Sequence, residues 1–222
     1  MISKELQKRI LSSTILIPIT IFFIFQETPL FAFFLCILFT ATSYEWIKMN
    51  KRDVIKIIGL VYIFFAFILA YFLREKFSLG LFILVLIICI FTDLGGYVFG
   101  KTFKGPKLIK ISPKKTYSGV LGGFILSLGA ALIYSKFTGV GAATHANFSI
   151  WTGIDLNKIY FLFILFISFI SQLGDLIISY FKRLAKVKDT GNLLPGHGGL
   201  LDRLDGIIFA IPFSYLLLLY LR

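Results

Sequence analysis

Residues 179–205 hold the most polar stretch of an otherwise oily chain. Lys182, Arg183, Lys186, Lys188 and Asp189 come first, then the turn Pro195-Gly196-His197-Gly198-Gly199, then Asp202-Arg203-Leu204-Asp205. Side chains three residues apart share one face of a helix, so Asp202 and Asp205 would point the same way at a helix start. Clustered aspartates with no cysteine and a single histidine nearby suit a hard cation such as Mg²⁺, which takes oxygen ligands and readily shares them with phosphates. The glycines around His197 remove side chains beside such a cation and let backbone amides reach phosphate oxygens. A helix N-terminus favours anions through its free N–H groups. Asp202 and Asp205 are also ordinary capping and dipole-stabilising residues at that place, so part of their presence needs no chemistry.

Further acids stand upstream in apolar surroundings: Glu45, Asp93 and Asp175. An acid at membrane depth costs roughly 2.5–3.5 kcal/mol on insertion scales, so each calls for a reason. Asp93 precedes Gly95 and Gly96, which either open a path to phosphate or let two helices pack closely. A helix–helix hydrogen bond or an ion pair with a lysine is the structural reading of Asp93 or Asp175 taken alone. Glu45, beside Trp46 and Lys48, reads as a snorkelling or paired side chain more readily than as a ligand. Ser112-Pro113-Lys114-Lys115-Thr116 places two hydroxyls and two cations around a rigid turn, a composition suited to polyphosphate. No Gly-x-x-x-x-Gly-Lys-Ser/Thr element occurs, which disfavours a P-loop ATPase.

These residues must be positioned by elements that live in lipid. The chain is 58% hydrophobic, has a mean hydropathy of +0.89 and carries 26 Phe in 222 residues, more than the surface of a soluble domain could cover. Apolar runs long enough for a helix to cross a hydrocarbon core of about 30 Å fall near 10–26, 29–47, 54–73, 77–100, 118–137, 157–181 and 203–221. They are continuous, not alternating, so helices and not barrel strands satisfy the backbone. The expected fold is all-α: a polytopic integral membrane protein with about seven transmembrane helices in one domain, 1–76 as N-terminal scaffold spans and 77–222 as catalytic spans and loops. Lys4, Lys8 and Arg9 before the first run imitate a signal peptide, but no small-residue cleavage site follows, so an uncleaved first span is expected. Cys36 and Cys89 fall inside spans and read as packing residues.

Formal net charge is +12. With the N-terminus in the cytoplasm, the clusters at 4–9, 48–56, 101–115 and 182–203 put 18 of the 23 Lys and Arg on the cytoplasmic side, as the positive-inside rule requires. The same topology brings Asp93, Asp175, Asp202 and Asp205 from three helices to one depth at the cytoplasmic end. His145 falls in an outer loop and has no expected role.

Residues 179–205 resemble the signature of the phosphatidate cytidylyltransferases (CDP-diacylglycerol synthases) in the Ser-x-x-Lys-Arg, Lys-Asp, Pro-x-His-Gly-Gly and Asp-Arg-x-Asp elements. The resemblance continues through Thr92-Asp93-Leu94-Gly95-Gly96-Tyr97, Gly100, Ser112 to Thr116 and Gln172-Leu173-Gly174-Asp175, covering about residues 80–221. Two departures stand out. The chain is short for that family, and the stretch from Phe103 to Ser112 is one residue shorter than its pattern, which leaves Lys104 and Lys107 without an assigned role.

The resemblance implies transfer of a cytidylyl group from CTP to phosphatidic acid, giving CDP-diacylglycerol and pyrophosphate. It implies Mg²⁺, alone or as one side of a two-cation site, held by Asp175, Asp202 and Asp205 with Asp93. Lys188 and His197 would act beside those aspartates, His197 as a phosphate donor rather than a base. Lys114, Lys115, Lys182 and Arg183 would contact the triphosphate or lipid phosphate, together with Ser112, Thr116, Asp189, Gly198, Gly199 and Arg203. The implied partners are CTP, phosphatidic acid and the bilayer, with or without a second copy of the chain in a homodimer, and no nucleic acid. The implied location is a bacterial inner membrane with the site on the cytoplasmic side. Asp202 to Gly206 also gives the Asp-x-x-Asp-Gly of a CDP-alcohol phosphotransferase, but only apolar residues follow where that family has further aspartates. An ion-coupled transporter is the rival of another class; against it stand the lack of repeat symmetry and the gathering of polar groups at one membrane face.

Overall fold

The computed structural model describes residues 4–109, 112–140, 156–194, 196 and 198–221, and these form seven helices and one small hairpin. In chain order they are α1 (Lys4–Phe25), α2 (Thr28–Met49), α3 (Asp53–Phe72, prolonged by a π-helical turn over Leu73–Phe77) and α4 (Leu79–Phe103). Strands β1 (Lys107–Ile109) and β2 (Ser112–Thr116), α5 (Tyr117–Thr138), α6 (Leu156–Leu184) and α7 (Leu201–Tyr220) follow. Among the described residues six helices, α2 to α7, are long and apolar enough to cross a membrane, and α1 adds a shorter apolar stretch, Leu11–Phe25. The chain is therefore a multi-pass helical membrane protein, and its helices follow the apolar runs read from the sequence.

The antiparallel hairpin between α4 and α5, with Lys107 opposite Thr116 and Ile109 opposite Ser112, is an element that hydropathy does not announce. It lies between two spans, where strand pairing needs no apolar run, and a two-stranded ribbon has only edges, so Pro113 removes no central ladder bond.

Local chemistry sets the helix ends. The Ser78 hydroxyl accepts from Leu81 N at 3.0 Å to start α4, and the Thr116 hydroxyl accepts from Gly119 N at 3.2 Å to start α5, the usual service of a hydroxyl to an orphan N–H. At the end of α2 the Asn50 side chain donates to Trp46 O at 2.9 Å. α6 ends in a Schellman closure, Val187 N to Lys182 O at 2.9 Å and Lys186 N to Arg183 O at 3.0 Å. Lys186 takes the left-handed position of that motif, φ 59°, where glycine is the usual occupant.

Glycines decide which helices touch. A Cβ on Gly95 of α4 would lie 2.3 Å from Gly122 O of α5, and one on Gly119 would lie 2.8 Å from Gly96 O. These two helices thus pack backbone against backbone, as small residues allow in lipid. α6 and α7 repeat the device. A Cβ on Gly174 would meet Asp205 O at 2.8 Å, and one on Gly206 would meet the Ser171 hydroxyl at 2.4 Å. Gly174 precedes Asp175 and Gly206 follows Asp205, so the closest approach of α6 and α7 sits where their acids are. Leu84, Val85 and Ile88 of α4 and Ile164 and Ile167 of α6 are fully buried in the core. Val54, Ile58 and Val61 of α3 and Leu121, Ile125 and Ile133 of α5 face outward, as lipid-facing rows must.

Candidate active site

The polar residues gather at one end of the bundle, where α2, α4 and α6 finish and α5 and α7 begin. Two groups of carboxylates form there, and they differ in what surrounds them.

Asp202, in the first turn of α7, is fully engaged. One carboxylate oxygen accepts from Lys182 Nζ at 2.7 Å. The other accepts from Thr190 N at 2.8 Å, the Thr190 hydroxyl at 3.1 Å and Gly199 N at 3.1 Å. The loop from α6 to α7 thereby wraps around one side chain. Gly198 makes this possible by adopting φ +89°, while its carbonyl accepts from Leu194 N at 3.0 Å.

Asp93, Asp175 and Asp205 come from α4, α6 and α7, and each acts electrostatically on at least one of the others. Asp205 is buried and accepts from Gly206 N at 2.9 Å. Asp175 accepts from the Ser179 hydroxyl at 3.3 Å and is paired with Lys115 of β2. Asp93 is exposed and lies within the field of Lys115 and Arg203. One helical turn before Asp175, the Gln172 amide nitrogen is buried and has no hydrogen-bond partner among the described residues. Like charges thus face one another here with few donors to satisfy them, the reverse of the arrangement around Asp202.

The remaining residues expected from the sequence separate into several roles. Lys115 and Lys182 lie on Asp175 and Asp202. Thr116 caps α5 and contacts the Ser118 hydroxyl at 3.0 Å. Ser112 opens β2 opposite Ile109. Arg183 is exposed and donates to Val187 O at 3.4 Å, closing the end of α6. Lys188 and Asp189 are exposed on the loop, and Arg203 is exposed on α7. Gly199 is buried and supplies an N–H to Asp202. His197 and the side chain of Lys114 lie outside the described residues, as does His145.

The four aspartates do not close into a single metal cage: among the described residues no three acidic, histidine or cysteine side chains are arranged to hold a metal by themselves. Asp202 is occupied by four donors from the chain itself.

Sequence reasoning undervalued Glu45. Instead of snorkelling or pairing with Lys48, it is only 1% exposed and accepts from Thr190, Leu200 and Leu201 of the α6–α7 loop and the start of α7. Trp46 beside it stacks edge-on against Phe181 of α6, with centroids 5.0 Å apart, and donates to Ile55 O at 3.2 Å. The N-terminal spans therefore enter the polar end as well as facing lipid. The only available signal was the cost of an acid in an apolar run, which cannot reveal a partner 145 residues away.

An apolar groove of about 440 Å³ lies between α1, α2, α3, α4 and α7, and its lining includes Ile24, Phe31, Ile87, Ile90, Ile207 and Ile211. Leu204 and Ile207 of its wall lie on either side of Asp205 in sequence, while the lining itself is apolar and includes no carboxylate.

Residues 51–221 match the cytidylyltransferase family. The chain is 38% identical over 218 residues to a phosphatidate cytidylyltransferase of Rickettsia conorii, an alignment covering 96% of this chain and 91% of that one. It is 37% identical over 209 residues to the Rickettsia felis protein of the same name, covering 92% and 88%. A phosphatidate cytidylyltransferase of Bacillus subtilis is 43% identical over 129 residues, covering 57% of this chain and 43% of that one.

Proposed function

The chain belongs to the cytidylyltransferase family, and from that premise we propose that it transfers the cytidylyl group of CTP to phosphatidate, forming CDP-diacylglycerol and pyrophosphate. The observation that carries this reading is the meeting of Asp93, Asp175 and Asp205 with Lys115 and Lys182 at one end of a helical membrane bundle.

The acceptor phosphate is largely ionised at neutral pH, its second pKa being about 6, so the chain need not supply a strong base. A phosphate oxygen of the acceptor bonds to the α-phosphorus as the bond from that phosphorus to the bridging oxygen breaks. Pyrophosphate departs with the electron pair. What the protein contributes is placement and charge. Lys115 and Lys182, now on Asp175 and Asp202, exchange a carboxylate for a phosphate oxygen when substrate arrives. The Gln172 amide, unpartnered one turn from Asp175, offers a further donor. The N–H groups of Gly199, Leu200 and Leu201 are already given to Asp202 and Glu45, so the start of α7 acts on a substrate anion through its helix dipole.

The donor set fits Mg²⁺, which is commonly held by one or two carboxylates completed by substrate phosphates and water, so no closed cage is required. Asp175 and Asp205 would hold the ion together with substrate phosphates and water, and when bound it neutralises charge on the transferring phosphoryl group. The apolar groove lined by Leu204 and Ile207 offers an acyl chain of the acceptor a place within the bundle while its phosphate reaches the charged end. The Lys and Arg clusters at 48–56, 101–115 and 182–203 share that end, which supports a site on the cytoplasmic face of a bacterial inner membrane.

The test is the purified protein in detergent with labelled CTP, phosphatidate and Mg²⁺. CDP-diacylglycerol and pyrophosphate should appear in equal amounts. Absence of CDP-lipid under conditions where a known phosphatidate cytidylyltransferase works would refute the reading.

A further inference from the structure

We propose that Glu45 is a positioning residue of the transfer site: it fixes Asp202 and the α6–α7 loop through Thr190 and the first residues of α7. The inference rests on the function proposed above but concerns a residue outside the matched segment 51–221.

The geometry is specific. One oxygen of Glu45 accepts from Leu200 N at 3.0 Å. The other accepts from Leu201 N at 2.8 Å and from the Thr190 hydroxyl at 3.1 Å. That hydroxyl is equally 3.1 Å from the Asp202 carboxylate. It has one proton to give, so Thr190 stands as a bridge between the two acids, while its N–H is committed to Asp202 at 2.8 Å. Among the described residues no lysine or arginine forms an ion pair with Glu45. Its buried carboxylate is balanced instead by the N–H groups at the start of α7, where the helix dipole favours negative charge.

The surroundings leave room for nothing else. A Cβ on Gly191 would fall 2.6 Å from one Glu45 oxygen. A Cβ on Gly199 would fall 2.6 Å from the other and 2.0 Å from the Thr190 hydroxyl. Both glycines are therefore small because the carboxylate is there. From the α2 side, Trp46 locks the last turn by its contacts with Phe181 and Ile55. A single acid from an N-terminal span thus sets the height of the loop that surrounds Asp202, without itself joining the Asp93, Asp175 and Asp205 group.

Glu45→Gln keeps the size but turns one acceptor oxygen into a donor, which then confronts Leu201 N or Leu200 N. Thr190→Val removes the bridge from the other side. In the full-length protein each change should lower kcat for CDP-diacylglycerol formation by about 10- to 100-fold, the scale expected of a small misplacement. KM for CTP and for phosphatidate should stay within about threefold. The double variant should be no slower than the slower single, because both break one linkage. Hydrogen exchange should rise over residues 188–201 in Glu45→Gln and not in α4 or α5. Unchanged kcat, additive losses, or exchange raised throughout the helices would each overturn the proposal. Should Glu45→Gln fail to fold, Thr190→Val still reads the linkage. Should the wild-type protein make no CDP-lipid, the proposed function falls, and the exchange comparison alone decides the role of Glu45 in holding the loop.

Discussion

Asp202 and Asp205 lie three residues apart on one helix, yet their surroundings are opposite. Asp202 has a lysine, two backbone N–H groups and a hydroxyl. Asp205 has one backbone N–H and two neighbouring carboxylates. A carboxylate that is fully satisfied by its own chain stabilises the fold, and a carboxylate crowded by like charge does so poorly. The second arrangement makes physical sense when something positive and external completes it. On the function proposed, Asp202 organises the loop, whereas Asp93, Asp175 and Asp205 would form the receptive surface.

The largest effects should come from neutralising each member of the pair. Asp205→Asn removes like-charge repulsion, so transfer should fall by more than about 10²-fold while Tm holds or rises by a few degrees. Asp202→Asn sets its NH2 either against Lys182 or against the two N–H groups, so activity should fall with a loss of Tm, breaking a buried pair being costly. Activity assays paired with thermal unfolding of both variants read this directly. Two variants that lose Tm equally would erase the distinction.

A smaller effect tests how the receptive group is assembled. Gly206→Val would drive a side chain into Ser171, where a Cβ already falls at 2.4 Å. Overpacking of this kind costs about 1–3 kcal/mol. It should part α6 from α7 and lower kcat by about 10²-fold even in protein that remains folded. Wild-type turnover in that variant would show that the separation of Asp175 from Asp205 is immaterial.

The smallest effect concerns the groove. Ile207→Trp fills part of it, so activity on long-chain phosphatidate should drop about tenfold, while a short-chain acceptor is used nearly as before. An equal loss on both acceptors would remove the groove from lipid binding.

Much of this was legible in the sequence, for identifiable reasons. Long apolar runs locate spans because lipid leaves a backbone few alternatives, and Asp175, Asp202 and Asp205 are conspicuous because acids are costly there. The close packing at Gly95 and Gly96 could be suspected but not assigned, since close packing and ligand access use the same residue. The hairpin at 107–116 left no hydropathy trace. Lys115 reads as a polyphosphate-type cation by composition and Lys182 by resemblance, but neither signal says that they rest on Asp175 and Asp202. The binding of Glu45 to Leu200 and Leu201 was illegible, because a contact between the second span and the last depends on tertiary packing that no local pattern encodes.

Electron paramagnetic resonance of Mn²⁺ added with CTP tests the central claim most directly. Wild-type protein should bind the ion in a CTP-dependent manner. Asp175→Asn and Asp205→Asn should abolish that signal, and folded Asp202→Asn should retain it. Loss of Mn²⁺ binding in Asp202→Asn, with binding intact in Asp205→Asn, would contradict the division of labour between the two groups.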